Sequence, residues 1–346
     1  MGPVNSMDVL WYFLTLSLFT TYVVLDGFDL GAGLVHLLVA RTEDEKRQVL
    51  AAIGPYWDGN EVWLIAGGGT LFFAFPNVFA SSFSGFYLPL MLMLWCLILR
   101  GIAIEFRTHM QHPAWTPVWD LTFGASSILL CILFGAAAGN VIRGVPLDKN
   151  GEFFLPLWTD FTGRGELGVL DWYTVLVALL ALTALGMHGA TWVALKVPPP
   201  FGRHVNGFAK KLWPALVLLT SFATVATLVV QPIALETFGN RPATFLLPIA
   251  MLGAILALKP ALNGNGKSAF ACTSAIVILM MATASATIYP TILPSNTSPE
   301  LSLMIANSRT SAYGQAIGLI WWIPGMALVI GYFVFLYRRF AGQIES

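Results

Sequence analysis

Charge is what this 346-residue chain has least of. Aspartate plus glutamate number 18 and lysine plus arginine 18, so only 10% of residues are charged, against roughly 25% in a typical soluble domain. That excludes an ordinary water-soluble fold, although the length alone would permit two such domains. The net charge is zero and the pI about 7.0, which implies no nucleic acid or other polyanion as partner. Only three cysteines occur, Cys96, Cys131 and Cys272, each inside an apolar run. They read as small core residues and not as a disulfide or metal ligands. There is no zinc or iron–sulfur spacing, no Walker A motif and no Ser/His/Asp arrangement. A basic leader region is also missing, so the first apolar run is expected to be a retained span and not a cleaved signal.

What the chain does have is hydrocarbon. It is 57% hydrophobic, with a mean hydropathy of +0.73. Runs near the ~20 residues that a bilayer requires fall at 8–40, 57–80, 83–106, 117–141, 169–195, 210–231, 243–260, 267–289 and 313–337. The expected fold is an all-α polytopic membrane protein of about nine transmembrane helices, one integral-membrane domain over 1–346. The first run exceeds a bilayer width and must tilt or protrude. Gly54-Pro55 interrupts an amphipathic lead-in to the second.

Nine spans put the two ends on opposite sides. One side then gathers Arg41, Lys46, Arg47, Arg107, Lys196, Arg203, Lys210, Lys211, Lys259, Lys267, Arg338 and Arg339. The other holds Arg143, Lys149, Arg164, Arg241 and Arg309, with Arg100 inside a span. The positive-inside rule places the N-terminus outside and the C-terminus in the cytoplasm. A weak echo links Gly27-Phe28-Asp29-Leu30-Gly31-Ala32 to Gly186-Met187-His188-Gly189-Ala190. It would suit a four-helix bundle over 1–141, an external loop over 142–168, a second bundle over 169–289 and a peripheral helix at 313–337.

The charges that remain are in costly places. Gly54-Pro55-Tyr56-Trp57-Asp58-Gly59-Asn60-Glu61-Val62-Trp63-Leu64 leads straight into an apolar run, and acids within membrane segments are functional candidates by default. Asp58 and Glu61 are three apart and would share a helix face. Asp29 lies about 18 Å from the cytoplasmic edge and Arg100 about 10 Å, at ~1.5 Å per residue. Glu105 and Asp120 lie near cytoplasmic helix ends. Two readings compete. In one, acids, an amide and water conduct protons inward; in the other, Arg100 neutralises Asp29 or Asp58 and locks helices together. The pair Gly27/Gly31 and Gly67-Gly68-Gly69 read as close-packing positions, and Trp57 and Trp63 as interfacial or packing residues. His188 is the one histidine well inside a span, and a single axial ligand is weak support for haem.

At these residues the chain resembles a known family, subunit II of the cytochrome bd-type quinol oxidases, the cyanide-insensitive branch included. The likeness rests on Leu25-Asp26-Gly27-Phe28-Asp29-Leu30-Gly31, on the Gly54–Trp63 segment, and on Arg100-Gly101-Ile102-Ala103-Ile104-Glu105-Phe106-Arg107. The resemblance implies two stacked four-helix bundles with a peripheral ninth helix, in the bacterial cytoplasmic membrane. It implies a heterodimer with a subunit I that carries two haems b, haem d and the quinol site, and a possible small single-span accessory subunit. It implies a membrane quinol:oxygen oxidoreductase that reduces oxygen to water and generates proton-motive force, with no complete active site and no haem in this chain. Carried to matching positions, Asp58 is the lead proton-path acid, with Glu61, Asn60 and Asp26 beside it. Asp29, Arg100, Glu105 and Asp120 become interface or charge-pair residues, and Trp57 and Trp63 packing residues or walls of a gas path. A structural quinone occurs in some members, though no motif here demands one. Two alternatives use the same residues: a proton-coupled secondary transporter and a purely structural assembly subunit.

Overall fold

A computed structural model describes residues 4–110, 112, 114–162 and 166–344; Arg164, counted above for orientation, lies outside the described residues. The helices are α1 (Ser6–Leu38), α2 (Glu43–Ile53), α3 (Trp57–Ala74), α4 (Pro76–Gly85), α5 (Tyr87–Phe106), α6 (Trp115–Arg143), α7 (Trp172–Lys196), α8 (Phe201–Val230), α9 (Ile233–Asn240), α10 (Leu246–Gly264), α11 (Gly266–Ile288), α12 (Ile305–Ser308) and α13 (Ala312–Arg339). A short antiparallel hairpin of β1 (Thr291–Leu293) and β2 (Leu303–Met304) lies between α11 and α12.

Among the described residues, eight helices are long and apolar enough to cross a bilayer: α1, α5, α6, α7, α8, α10 with the turn before it, α11 and α13. The second of the nine expected spans is built differently. Residues 57–80 do not form one helix, because Phe75 leaves helical geometry (φ −135°, ψ 65°) and Pro76 starts α4. Proline lacks the N–H that would continue the ladder, but at the first helical position none is needed. The 18-residue α3 is about 27 Å long at ~1.5 Å per residue. Its Asp58, Asn60, Glu61 and three successive glycines lower its apolarity. As expected, the amphipathic lead-in ends at Gly54-Pro55 and stands alone as α2.

Helix starts follow local chemistry. Asn5 and Asp8 form a reciprocal capping box on α1, and Thr42 with Glu45 does the same on α2. The carboxylate of Asp171 accepts from the Tyr173 and Thr174 backbone N–H groups at the start of α7. Such caps satisfy N–H groups that have no partner within the helix.

α1 is the axis of the packing. Residues Asp26 to His36 are buried without interruption, so this part of the helix is covered on every side. α3, α6 and α7 pack against α1; α5 packs on α6, α8 on α7, α10 on α11, and α11 on α7. The two echo segments meet directly: a Cβ at Gly31 would collide with the Leu185 carbonyl and the Gly189 backbone, and one at Gly189 with the Gly31 backbone. On either side of this crossing Phe28 stacks on Trp192 at 4.3 Å, and Leu34 covers Gly186. Gly67 faces Phe19, whereas Gly68 and Gly69 face open space; only the first of the three is a packing contact within the chain.

Two ends can be told apart. The basic end holds the C-termini of α1, α7 and α13 and the whole of α2, tied together where Trp192 Nε1 donates to the Ala52 carbonyl. The far end holds Asp8, which pairs with Arg309 and accepts from Gln315 Nε2 at 2.9 Å. Asp171 pairs there with Arg143.

Candidate functional site

Between these ends lies a largely buried polar cluster contributed by four helices. Asp26 and Asp29 come from α1, Asn60 and Glu61 from α3, Arg100 from α5 and Tyr337 from α13. Arg100 is fully buried; its Nη1 lies 2.8 Å from Asp26 Oδ1 and its Nη2 donates to Glu61 Oε2 at 3.2 Å. The guanidinium therefore bridges α1 and α3. Asn60, also fully buried, donates from Nδ2 to Asp29 Oδ2 at 2.8 Å and to the Leu25 carbonyl at 3.2 Å. The Tyr337 hydroxyl donates to Asn60 Oδ1 at 3.2 Å.

The pairing differs from the sequence expectation. Arg100 takes Asp26 and Glu61, not Asp29 or Asp58. Asp26 and Asp29 are three apart on α1, so either could have faced Arg100; the rotation of α1 about its axis chose Asp26. Asp29 is 1% exposed, has no ion-pair partner among the described residues, and its Oδ1 is buried without a hydrogen-bond partner. Three carboxyl groups thus share one guanidinium. Burial of an uncompensated carboxylate is costly, so such a group is either paired or protonated.

Asp58 and Glu61 also part company. The buried side of α3 is Asn60, Trp63 and Gly67; Glu61 stands at its margin with 24% of its side chain exposed, and Asp58 is exposed. Asp58 belongs to a surface stripe with Val62, Ile65, Gly69 and Phe72, at the three- and four-residue spacing of one helix face. Val62, Ile65 and Phe72 are 51%, 72% and 60% exposed. Glu61 is the cluster's one opening toward this stripe.

The other sequence candidates lie elsewhere. Asp120 sits at the basic end, where His36 Nε2 and Lys46 Nζ each approach it at 2.7 Å and Arg107 pairs with it, Arg107 also reaching Glu43 at 3.0 Å. Asp120 therefore ties α1, α2, the end of α5 and α6 together, as a charge-pair residue should. Glu105 is exposed and makes no ion pair among the described residues, because at the end of α5 it points away from the Arg107–Asp120 pair. Trp57 lies over Gly101. Trp63 is buried with Leu18 and Tyr22 and meets Phe333 of α13 at 5.2 Å.

His188 has both ring nitrogens engaged, Nδ1 with Thr273 Oγ1 and Nε2 with the Val24 carbonyl, each at 2.9 Å, and its ring stacks on Phe270. An axial haem ligand needs a free nitrogen lone pair, so this histidine does not fit one. No group of three His, Cys, Asp or Glu side chains among the described residues is arranged to hold a metal ion.

The sequence signals missed two contributors. Tyr337 stands beside Arg338-Arg339, a pair that reads only as an orientation signal. Lys196 is buried with no carboxylate partner among the described residues; its Nζ donates to Tyr56 Oη at 2.9 Å and to the Phe340 carbonyl at 2.6 Å. It is flanked by the Tyr56 and Trp192 rings at 5.1 and 4.9 Å.

The sequence model of the family described as cytochrome bd terminal oxidase subunit II matches residues 7–340. The chain belongs to that family. It is 29% identical to the "Probable cytochrome oxidase subunit 2" of Haemophilus influenzae, over 97% of this chain and 95% of that protein. It is 27% identical to the "Cytochrome bd ubiquinol oxidase subunit 2" of Bacillus subtilis, over 98% and 97%. Identity to the "Cytochrome bd-I ubiquinol oxidase subunit 2" of Escherichia coli K12 is also 27%, over 97% and 95%. Among solved structures, a chain of the bd oxidase from Geobacillus thermodenitrificans superposes with a TM-score of 0.74 at 16% identity, covering 97% of this chain and 99% of that one. At that identity the superposition speaks for the fold. A subunit II of this family works beside a subunit I, and the haems implied are those of the oxidase complex.

Proposed function

We propose that this chain is the non-haem-bearing subunit II of a membrane quinol:oxygen oxidoreductase, that it supports the haem sites of subunit I, and that it manages protons drawn from the cytoplasm. The observation that carries the proton reading is the charge count of the buried cluster. Asp26 and Glu61 are ion-paired with Arg100, whereas Asp29 has a carboxamide contact and no ion-pair partner among the described residues. A carboxyl group in that position takes up and releases a proton with a change in its interactions; a static brace would need Arg100 and its two partners alone.

The exposed α3 stripe supports the docking side of the reading. Asp58 shares a surface with Val62, Ile65 and Phe72, and a carboxylate on a lipid face would be costly. Subunit I covering this stripe would shelter Asp58 and receive the Glu61 opening. The excess of basic residues at the end bearing Lys196 and Arg338 supports a cytoplasmic location for that end and an outside N-terminus. We read the packing as two four-helix bundles, 1–141 and 169–289, with 142–168 as the external loop.

Copurification tests the assignment to an oxidase: a haem-bearing partner of similar size and a haem d absorption band are expected, and a preparation with neither refutes it. For the proton role, Asp58→Asn is expected to slow oxygen reduction while haem content stays near normal. Loss of haem along with activity would instead mean that Asp58 serves assembly.

A further inference from the structure

α13 is the least buried of the bilayer-length helices within this chain. Yet its last turn reaches the buried cluster. The Tyr337 hydroxyl is the donor to Asn60 Oδ1, while Asn60 Nδ2 serves both the Leu25 carbonyl and Asp29 Oδ2. The carboxamide has two different faces, and each is committed. Its oxygen is occupied by a hydroxyl donor, so its amino group is what Asp29 meets.

That arrangement restricts where Asp29 can hold a proton. A protonated carboxyl donates from one oxygen, and it could donate from Oδ2 to Asn60 only if Asn60 turned its own oxygen toward Asp29. Turning would set Asn60 Oδ1 against the Leu25 carbonyl with no hydrogen between them, and the Tyr337 hydroxyl would have to accept from Nδ2 in place of donating. Oδ2 is therefore kept as an acceptor. The remaining oxygen, Oδ1, is buried and unpartnered, and it is the place left for the proton.

Tyr337 is itself held. One turn on, the Phe340 carbonyl accepts from Lys196 Nζ and from the Tyr56 hydroxyl, each at 2.6 Å. The Ile344 N–H donates to the Lys196 carbonyl at 2.9 Å. The Tyr337 ring lies 4.7 Å from that of Tyr56. These contacts fix the end of α13 against α7 and the segment before α3.

We propose that Tyr337 is a positioning residue for the Asp29 carboxyl: by donating to Asn60 Oδ1 it reinforces the carboxamide orientation that the Leu25 carbonyl demands, and so confines the Asp29 proton to Oδ1. This rests on the reading of Asp29 as a proton-handling group. Tyr337 transfers no proton in this scheme, and no covalent bond changes. The charged and titratable groups facing Asp29 and Tyr337 are Asp26 on α1, Glu61 on α3, Arg100 on α5 and Tyr56 before α3.

The test uses the assembled oxidase complex and two readouts. The first is the redox-difference infrared spectrum in the carboxyl C=O region; the second is steady-state quinol oxidation. Asp29→Asn is expected to remove a carboxyl band. Tyr337→Phe keeps the ring and removes the donor; it is expected to shift or split that same band. It should also lower turnover about threefold to tenfold, the scale of one hydrogen bond of about 0.5–1.5 kcal/mol, with haem content unchanged. In an Asn60→Ala background, or Asn60→Ser if that variant does not assemble, Tyr337→Phe is expected to do nothing further. If Asp29→Asn removes no band and leaves turnover intact, the proton reading of Asp29 fails. If Asp29→Asn acts but Tyr337→Phe leaves the band and turnover unchanged, the positioning role fails. An equal effect of Tyr337→Phe with and without Asn60 also overturns it, because the residue would then act by another route.

Discussion

Replacing Arg100 by methionine removes the one cation of the cluster and nearly preserves its volume. Asp26, fully buried, loses a partner at 2.8 Å, and Glu61 one at 3.2 Å. At an effective dielectric constant of ~20, unit charges 2.8 Å apart interact by about 6 kcal/mol, part of which offsets desolvation. Removing one partner of a buried pair costs about 3–5 kcal/mol, because the other charge is left stranded. Glu61 has a quarter of its side chain exposed and can be hydrated, so Asp26 carries most of the loss. Arg100→Met should therefore lower the thermal midpoint of the detergent-solubilised complex by on the order of 5–10 °C. Asp26→Asn in the same chain should restore at least half of that by removing the stranded charge. The assay is a double-mutant cycle on thermal unfolding, with assembled yield as a second readout. Additive losses in the double variant, or a single variant that melts like the parent, would refute the pairing of Arg100 with Asp26.

Gly31→Ala should be among the most damaging small substitutions, because the added methyl meets the Leu185 carbonyl and Gly189 backbone; a loss of about 1–3 kcal/mol should appear as reduced yield. Gly68→Ala and Gly69→Ala, with open space beside them in this chain, should leave the isolated subunit unchanged and reveal subunit I packing if they weaken the complex. Asp120→Asn leaves Lys46 and Arg107 without the carboxylate between them, and should cost about 3–5 kcal/mol; thermal unfolding of the variant checks it, and an unchanged midpoint counts against the tie.

The helices were legible because hydropathy and punctuation fix them locally. Gly54-Pro55 separates α2 from α3 as expected, whereas the break at Pro76 divides a run, 57–80, that hydropathy alone reads as one span. The three motif segments did lead to one place: Asp26 and Asp29, Asn60 and Glu61, and Arg100 converge in a single cluster. Which acid meets Arg100 was not legible. Asp26 and Asp29 differ by about 60° around α1 at 3.6 residues per turn, a rotation set by the Gly31–Gly189 crossing with a helix about 160 residues away. Asp58 and Glu61 are separated by the same angle, yet one faces outward and the other Arg100. Tyr337 was invisible for a stronger reason. Its partner Asn60 is 277 residues away, and a tyrosine next to two arginines at a helix end has the composition of an ordinary membrane-interface turn.

Charge accounting along the membrane isolates the functional question better than any motif. At the far end Asp8 answers Arg309 and Asp171 answers Arg143; at the basic end Asp120 answers Lys46 and Arg107. Each of these groups pins a helix terminus and needs no further role. Between them three carboxyl groups face one guanidinium. A chain selected only for assembly would gain by replacing Asp29 with an uncharged residue, since an unpaired buried carboxyl contributes a penalty and no cross-link that Asn60 could not make to another acceptor. The extra acid is held through one oxygen by Asn60, which accepts in turn from Tyr337, and its other oxygen is unpartnered, in the cluster that Glu61 borders. The imbalance is therefore localised and oriented, beside the exposed α3 stripe, which is what the proposed proton role requires.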